Sequence, residues 1–220
     1  IFADKLYMAG VAPHYASANT RDFRGFGGYA AVWNGIVRDR PEWVEIVTWN
    51  DYNEDTNLMH YKWKRGLLKP LYDRDGSFLD FTAYCIPWYK TGRRPRITQD
   101  KLYFAHRTRE REMSKYWDPK AKAWIDVTMK KWPFDQLHDD LRDYVYATTM
   151  LTAPAELTVR VGEVTETFSQ PAGVTHVELP MTPGTVYLTL TRDGKVVLDV
   201  VSRREIISEV TKENSTYYGY

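Results

Sequence analysis

The 220-residue chain holds a single cysteine, Cys85. An internal disulfide is therefore excluded, and no Cys/His set has the spacing of a zinc site. Cys85 stands among apolar neighbours in a stretch expected to be helical, which reads as an inert buried thiol rather than a nucleophile. Long apolar runs are lacking too, so no segment has the length of a membrane-spanning helix. No signal peptide opens the chain, but it starts at Ile1 rather than Met, so its first residues say little about compartment. An excess of charge of either sign is also missing. Thirty Lys and Arg against 29 Asp and Glu leave a net +1, which gives no reason to expect nucleic acid or an anionic membrane as a partner.

Aromatic residues are abundant instead: 15% of the chain, with 8 Trp and 16 Tyr. Flat rings stack on the C–H faces of sugars while Tyr hydroxyls and Trp N–H groups donate hydrogen bonds, so the composition fits carbohydrate handling. The same rings serve equally well as core, and scattered exposed apolar residues need no functional explanation.

Tryptophan is confined to the part of the chain up to Trp132. Beyond about residue 144 the pattern changes to short Val-, Thr- and Leu-rich runs broken by Pro and Gly. Strands are expected near 145–151, 156–161, 164–168, 174–179, 185–191, 195–201 and 204–210. Asp193-Gly194 carries the signal of a tight hairpin. Short strands at this spacing imply a β-sandwich, here an accessory domain over 144–220.

The earlier region reads as strand, loop and helix in alternation. A strand from Leu6 to Pro13 ends in His14-Tyr15, and a Gly-rich loop from Asn19 to Gly28 leads to a helix from Tyr29 to Arg38. A strand over 44–49 is followed by a long loop and a helix from Leu79 to Tyr89. A third strand, Leu102 to Ala105, ends in His106-Arg107-Thr108. Strands separated by helices imply a parallel sheet, with polar groups after each carboxyl end as in a (β/α)8 barrel. Three strands cannot close a barrel. The expected fold class is therefore α/β plus all-β. Residues 1–118 would be the last strands of a TIM barrel whose amino-terminal part is missing, 119–143 a linker, and 144–220 the sandwich. A complete three-stranded α/β layer is the alternative, disfavoured because a parallel sheet needs both faces covered.

The densest chemistry lies in Val44-Glu45-Ile46-Val47-Thr48-Trp49-Asn50-Asp51-Tyr52-Asn53-Glu54. An apolar run gives way abruptly to Trp, Asn, Tyr and two carboxylic acids at a strand's carboxyl end, where α/β folds place their chemistry. Asp51 and Glu54 are three apart, so one helical turn would bring them to the same side. Glycoside hydrolysis needs such a pair, one acid for the leaving oxygen and one base for water. An acidic turn in which Asp51 merely caps the backbone uses the same residues. Oxygen-bearing residues at alternate positions from Asp51 to Asn57 also resemble the start of an EF-hand. That reading fails, because Thr56 stands where Gly is required and Lys62 where Glu is required. His14 could reach a sugar hydroxyl, whereas His60 and His106 carry no further signal. Tyr61, Trp63 and Trp88 could be sugar platforms or packing, and Trp88, in a helix, reads as packing. The basic run Gly92-Arg93-Arg94-Pro95-Arg96 would lie on the barrel face opposite the active site, as a solvated loop.

Taken together these residues resemble glycoside hydrolase family 71, the endo-α-1,3-glucanases often called mutanases. The resemblance rests on Tyr7-Met8-Ala9-Gly10-Val11-Ala12-Pro13-His14, on Pro41 to Glu54 with its Trp-Asn-Asp-Tyr-x-Glu element, and on Leu79 to Thr98. Asp143-Tyr144-Val145-Tyr146-Ala147-Thr148-Thr149 and Pro171-Ala172-Gly173-Val174 extend it towards the carboxyl terminus. It implies a barrel followed by a sandwich, and hydrolysis of α-1,3-glucan with inversion. The family's acids fall on Asp51, as general acid, and Glu54, positioning or activating water. Trp49, Asn50, Tyr52, His14, Asn57 and Tyr61 are the expected substrate contacts. The chain departs from the pattern after Glu54, reading Asp55-Thr56-Asn57 where some members have Ser-His-Tyr. No metal or cofactor is expected. The expected partner is α-1,3-glucan, with no nucleic acid and no membrane, and the chain is expected to be a monomer. A secreted or wall-associated location is expected, weakly supported by the sequon Asn214-Ser215-Thr216. A protein that holds polysaccharide without cutting it, or an inactive fragment, are the competing expectations.

Overall fold

Strand β1 (Met8–Val11) buries Ala9 and Val11 and exposes Met8 and Gly10, the period of two of a strand covered on one face. The computed structural model describes residues 5–16, 20–21, 23–51, 54, 56–59, 76–110, 115–118, 120–126, 142–208 and 217–219. After β1 come the short pair β2 (Tyr15–Ala16) and β3 (Thr20–Arg21), helix α1 (Gly25–Asp39), β4 (Trp43–Ile46) and helix α2 (Ser77–Thr91). Then follow β5 (Lys101–Arg107), the hairpin β6 (Lys115–Asp118) and β7 (Ala123–Asp126), and β8 (Tyr144–Leu151). The chain continues through β9 (Ala155–Val161), β10 (Val164–Gln170), β11 (Gly173–Pro180), β12 (Val186–Arg192), β13 (Lys195–Val201) and β14 (Tyr217–Gly219). The fold is mixed, mostly strands with two helices among the described residues, and its sheets are not closed.

Strands β1 and β4 pair in parallel, from Met8↔Trp43 to Val11↔Ile46. Helices α1 and α2 cover one face of the pair. Ala9 and Val11 join Phe26, Tyr29, Trp33, Phe78 and Phe81 in one core, where Phe26 stacks on Phe78 with centroids 4.1 Å apart. Much of the aromatic enrichment thus goes into packing rather than into a sugar-binding surface. Helix α1 begins at Gly25, inside the stretch expected to be a Gly-rich loop. At Gly28 the chain runs so close that a β-carbon would lie 1.6 Å from the carbonyl oxygen of Phe23, so glycine here serves close approach and not flexibility.

Two four-stranded antiparallel sheets lie beyond, in the orders β10-β9-β12-β13 and β11-β8-β5-β14. They share one core, in which Leu157, Val159 and Leu188 of the first meet Phe104, Ala147 and Leu179 of the second. The strands expected from 145 to 201 are present as β8 to β13. The β12–β13 turn has φ of 52° at Asp193 and 71° at Gly194, the left-handed pair that the tight hairpin demands.

Two expectations are corrected. The strand at Leu102–Ala105 is not a third parallel strand: as β5 it pairs antiparallel with β8, from Lys101↔Met150 to Ala105↔Tyr146. Phe104 enters the core shared by the sheets, while Tyr103 faces the helices, 4.9 Å from the Phe26 ring and 5.5 Å from Phe81. A strand covered on both faces reads as an unbroken apolar run whatever its direction. Within 119–143 the described residues include β7, paired with β6. No strand forms over 204–208; Ile206 instead makes an isolated bridge to Gly184, and the remainder of that expected strand lies outside the described residues.

Candidate functional site

Because β1 and β4 are parallel and in register, the residues that follow them emerge at the same end of the pair. The ladder continues one step further, with the Val47 amide donating to the Val11 carbonyl at 2.9 Å. His14 and the segment from Thr48 to Met59 therefore start from neighbouring positions.

That segment doubles back on itself. The Thr48 amide donates to the Thr56 carbonyl at 3.0 Å and the Leu58 amide to the Thr48 carbonyl at 3.0 Å, while the Met59 amide reaches the Trp49 carbonyl at 2.9 Å. The Thr48 hydroxyl accepts from the Asp51 amide at 3.0 Å and lies 2.8 Å from the Thr56 hydroxyl. Asp51 Oδ1 in turn accepts the Glu54 amide at 3.2 Å. A local side-chain-to-backbone turn of the kind Asp favours thus ties Asp51 to the Glu54 backbone. Asp51 is half-buried and Glu54 exposed. Thr48 was not singled out from the sequence. Its signal is a hydroxyl three residues before an aspartate, a local capping pattern.

The other expected contacts divide by burial. Trp49 is 56% exposed and Asn50 is exposed. Asn57 is 1% exposed and donates its amide to the Met59 carbonyl at 3.0 Å, so it braces the loop's return. His14 is fully buried, edge-on to Phe23 with centroids 6.3 Å apart. Tyr52 and Tyr61 lie outside the described residues, as do His60 and Trp63. Trp88 is buried in α2, and the Arg94 guanidinium sits over its ring 4.8 Å from the centroid.

Two titratable groups with strong shifts lie elsewhere. Burial pushes the Cys85 thiol up to about 12, so it stays a neutral thiol. His106, in β5, is fully buried; burial pushes it down to about 4, opposed by its bond to the Arg107 carbonyl. Its other nitrogen meets the Ser202 hydroxyl at 2.8 Å, which makes it a strut between β5 and the segment after β13. Among the described residues no three or more His, Cys, Asp or Glu side chains gather as metal ligands, and no helix is long and apolar enough to cross a membrane.

The profile of glycosyl hydrolase family 71 matches residues 1–220. The chain belongs to this family. It is 27% identical over 220 residues to a mutanase of Penicillium rubens, covering 89% of the chain and 43% of that protein. It is also 27% identical over 201 residues to a glucan endo-1,3-alpha-glucosidase of Schizosaccharomyces pombe, covering 86% and 44%. A 59-residue stretch is 39% identical to an ascus wall endo-1,3-alpha-glucanase of the same yeast. The family 71 chain thus spans less than half the length of the first two relatives. No solved structure matches it.

Proposed function

We propose that the protein is a glycoside hydrolase acting on α-1,3-glucan, with Asp51 as general acid and Glu54 positioning or activating water. The observation that carries the proposal is the loop after β4, in which Asp51 is half-buried, held through Thr48 and bonded to the Glu54 amide, beside an exposed Trp49. A proton donor fixed beside the scissile oxygen contributes roughly 10²–10⁴-fold to rate. In inversion the second carboxylate activates water on the opposite face of the sugar. Trp49 suits stacking against a glucose ring and Asn50 suits hydrogen bonding to its hydroxyls. Tyr52 and Tyr61 join them as proposed contacts, while the buried His14 and Asn57 support the site from beneath.

The proposed setting is the end of a (β/α)8 barrel. Support comes from the face of the β1–β4 pair turned away from the helices. Met8 and Trp43 are paired in register there, yet are 52% and 61% exposed, which fits a surface covered by further barrel strands. The two antiparallel sheets with their common core fit a β-sandwich, and β5 belongs with them rather than with the barrel side of a boundary at 118. A wall-associated or secreted location agrees with the name of the ascus wall relative.

Incubating the protein with insoluble α-1,3-glucan tests the activity. Soluble reducing oligosaccharides whose new ends appear first as the β-anomer are expected. Lasting adsorption to the glucan with no soluble product would replace hydrolysis with simple binding.

A further inference from the structure

The ends of α1 and α2 gather positive charge that the proposed catalytic loop does not use. Arg40 reaches the end of α2: a β-carbon at Gly92 would lie 2.6 Å from its guanidinium. Lys90, Arg93, Arg94 and Arg96 follow along the same end. The nearby carboxylates are already engaged. Asp39 is held by Arg38 at 2.7 and 3.0 Å, Glu42 accepts the Tyr7 amide at 3.0 Å, and Asp100 binds Arg192 at 2.7 Å. Lys90, Arg93 and Arg96 make no ion pair among the described residues. Two helix carboxyl ends contribute only about half a negative charge each, so the face stays strongly cationic.

This charge borders a cleft of about 700 Å³ between the segment after α2 and the β8–β11 edge. Arg94, Arg96, Tyr84 and Thr98 form one wall, and Thr152 and Ala172 the other. Arg94 is positioned by the Trp88 ring, 4.8 Å away, and by Asn34 Oδ1 at 3.5 Å. The volume lies in the range of pockets that hold ligands of several rings, far more than a lone inorganic anion fills. Guanidinium groups recognise carboxylate and phosphate oxygens, the Tyr84 ring offers a stacking face, and the threonine hydroxyls meet sugar hydroxyls. A neutral glucan would leave the cationic charge uncompensated.

We propose that this cleft binds an acidic polysaccharide, with Arg94 and Arg96 taking its carboxylate or phosphate-ester groups. The site lies apart from the Asp51 loop and would hold the protein on a charged polymer, whichever reaction that loop carries out. It does not rest on the hydrolytic reading.

Affinity electrophoresis of the protein through gels containing polygalacturonate, a phosphorylated mannan or neutral dextran tests it. Retardation by one or both acidic polymers and not by dextran is expected, and which polymer retards identifies the anion. Arg94→Gln with Arg96→Gln should weaken retardation at least tenfold, and 0.5 M salt should nearly remove it, since a Debye length of roughly 4 Å screens surface charge. Ala172→Trp, which fills the cleft without changing charge, should weaken it similarly. Arg160→Gln with Lys195→Gln, an equal charge change elsewhere, should leave it within twofold. All these side chains are exposed, and an unchanged melting temperature checks folding. Equal loss in the two charge-neutralised variants, full binding by Ala172→Trp, or retardation by dextran alone would each overturn the proposal.

Discussion

At the scale of single residues, the strongest constraints sit where a polar group is buried with its partners. Arg107 is 2% exposed, donates to the carbonyls of Arg109 at 3.0 Å and Arg142 at 3.1 Å, and pairs with Asp143. His106 beside it makes stability depend on pH. The unfolded chain takes up a proton near the ordinary 6.5, the buried ring only near about 4. Between those values unfolding takes up a proton, so acid favours the unfolded chain. Stability should therefore be full above pH 6.5, fall as pH drops to 4 and level off below, by on the order of 3 kcal/mol. Asp100, held at about 2 chiefly by its hydrogen bond from Arg192, adds a separate loss between its ordinary 3.8 and 2. Melting curves across this range should show both segments, and His106→Gln should flatten only the upper one. A His106→Gln profile parallel to the parent between pH 6.5 and 4 would assign that segment elsewhere.

At the scale of elements, local pattern was informative wherever one face of an element meets solvent. The alternation in β9 and β12 and the Asp193-Gly194 turn belong to that class, and so do the two helices, each found longer than the periodicity marks. Pattern misled where both faces are covered. Strand β5 carries Tyr103 towards the helices and Phe104 towards the sheets, and its apolar run holds no information on which neighbour pairs with it. Glycine was ambiguous in the same way. Gly28 and Gly35 both lie in α1, yet a β-carbon at Gly28 would collide with the Phe23 carbonyl, whereas one at Gly35 meets nothing within 4 Å. Gly28→Ala is expected to destabilise by about 1–3 kcal/mol through overpacking. Gly35→Ala should stabilise by roughly 0.5–1 kcal/mol as a relieved helix-interior glycine. Denaturant midpoints of the two variants decide this, and shifts of the same sign would contradict the packing at the start of α1.

At the scale of the whole molecule, the loop proposed to be catalytic is a local structure: Asp51, Glu54 and their backbone partners lie within nine residues of Thr48. The proposed barrel setting rests on strand–helix alternation and on the resemblance to family 71, since the parallel sheet described is two strands with Met8 and Trp43 exposed. What the sequence did not show is Thr48 as the brace and the burial of His14 and Asn57, which depend on how the chain returns from Thr56 to Met59. The central claim is that Asp51 acts through its acidity and not merely as a turn-former. The direct measurement is kcat for reducing-sugar release from α-1,3-glucan by Asp51→Asn in the protein containing this chain, with its melting temperature alongside. Asparagine keeps the side-chain oxygen that accepts the Glu54 amide, so stability should stay within about 0.5 kcal/mol while kcat falls roughly 10²–10⁴-fold. A variant that melts normally and turns over at the parent's rate would leave Asp51 a structural turn and contradict the assignment.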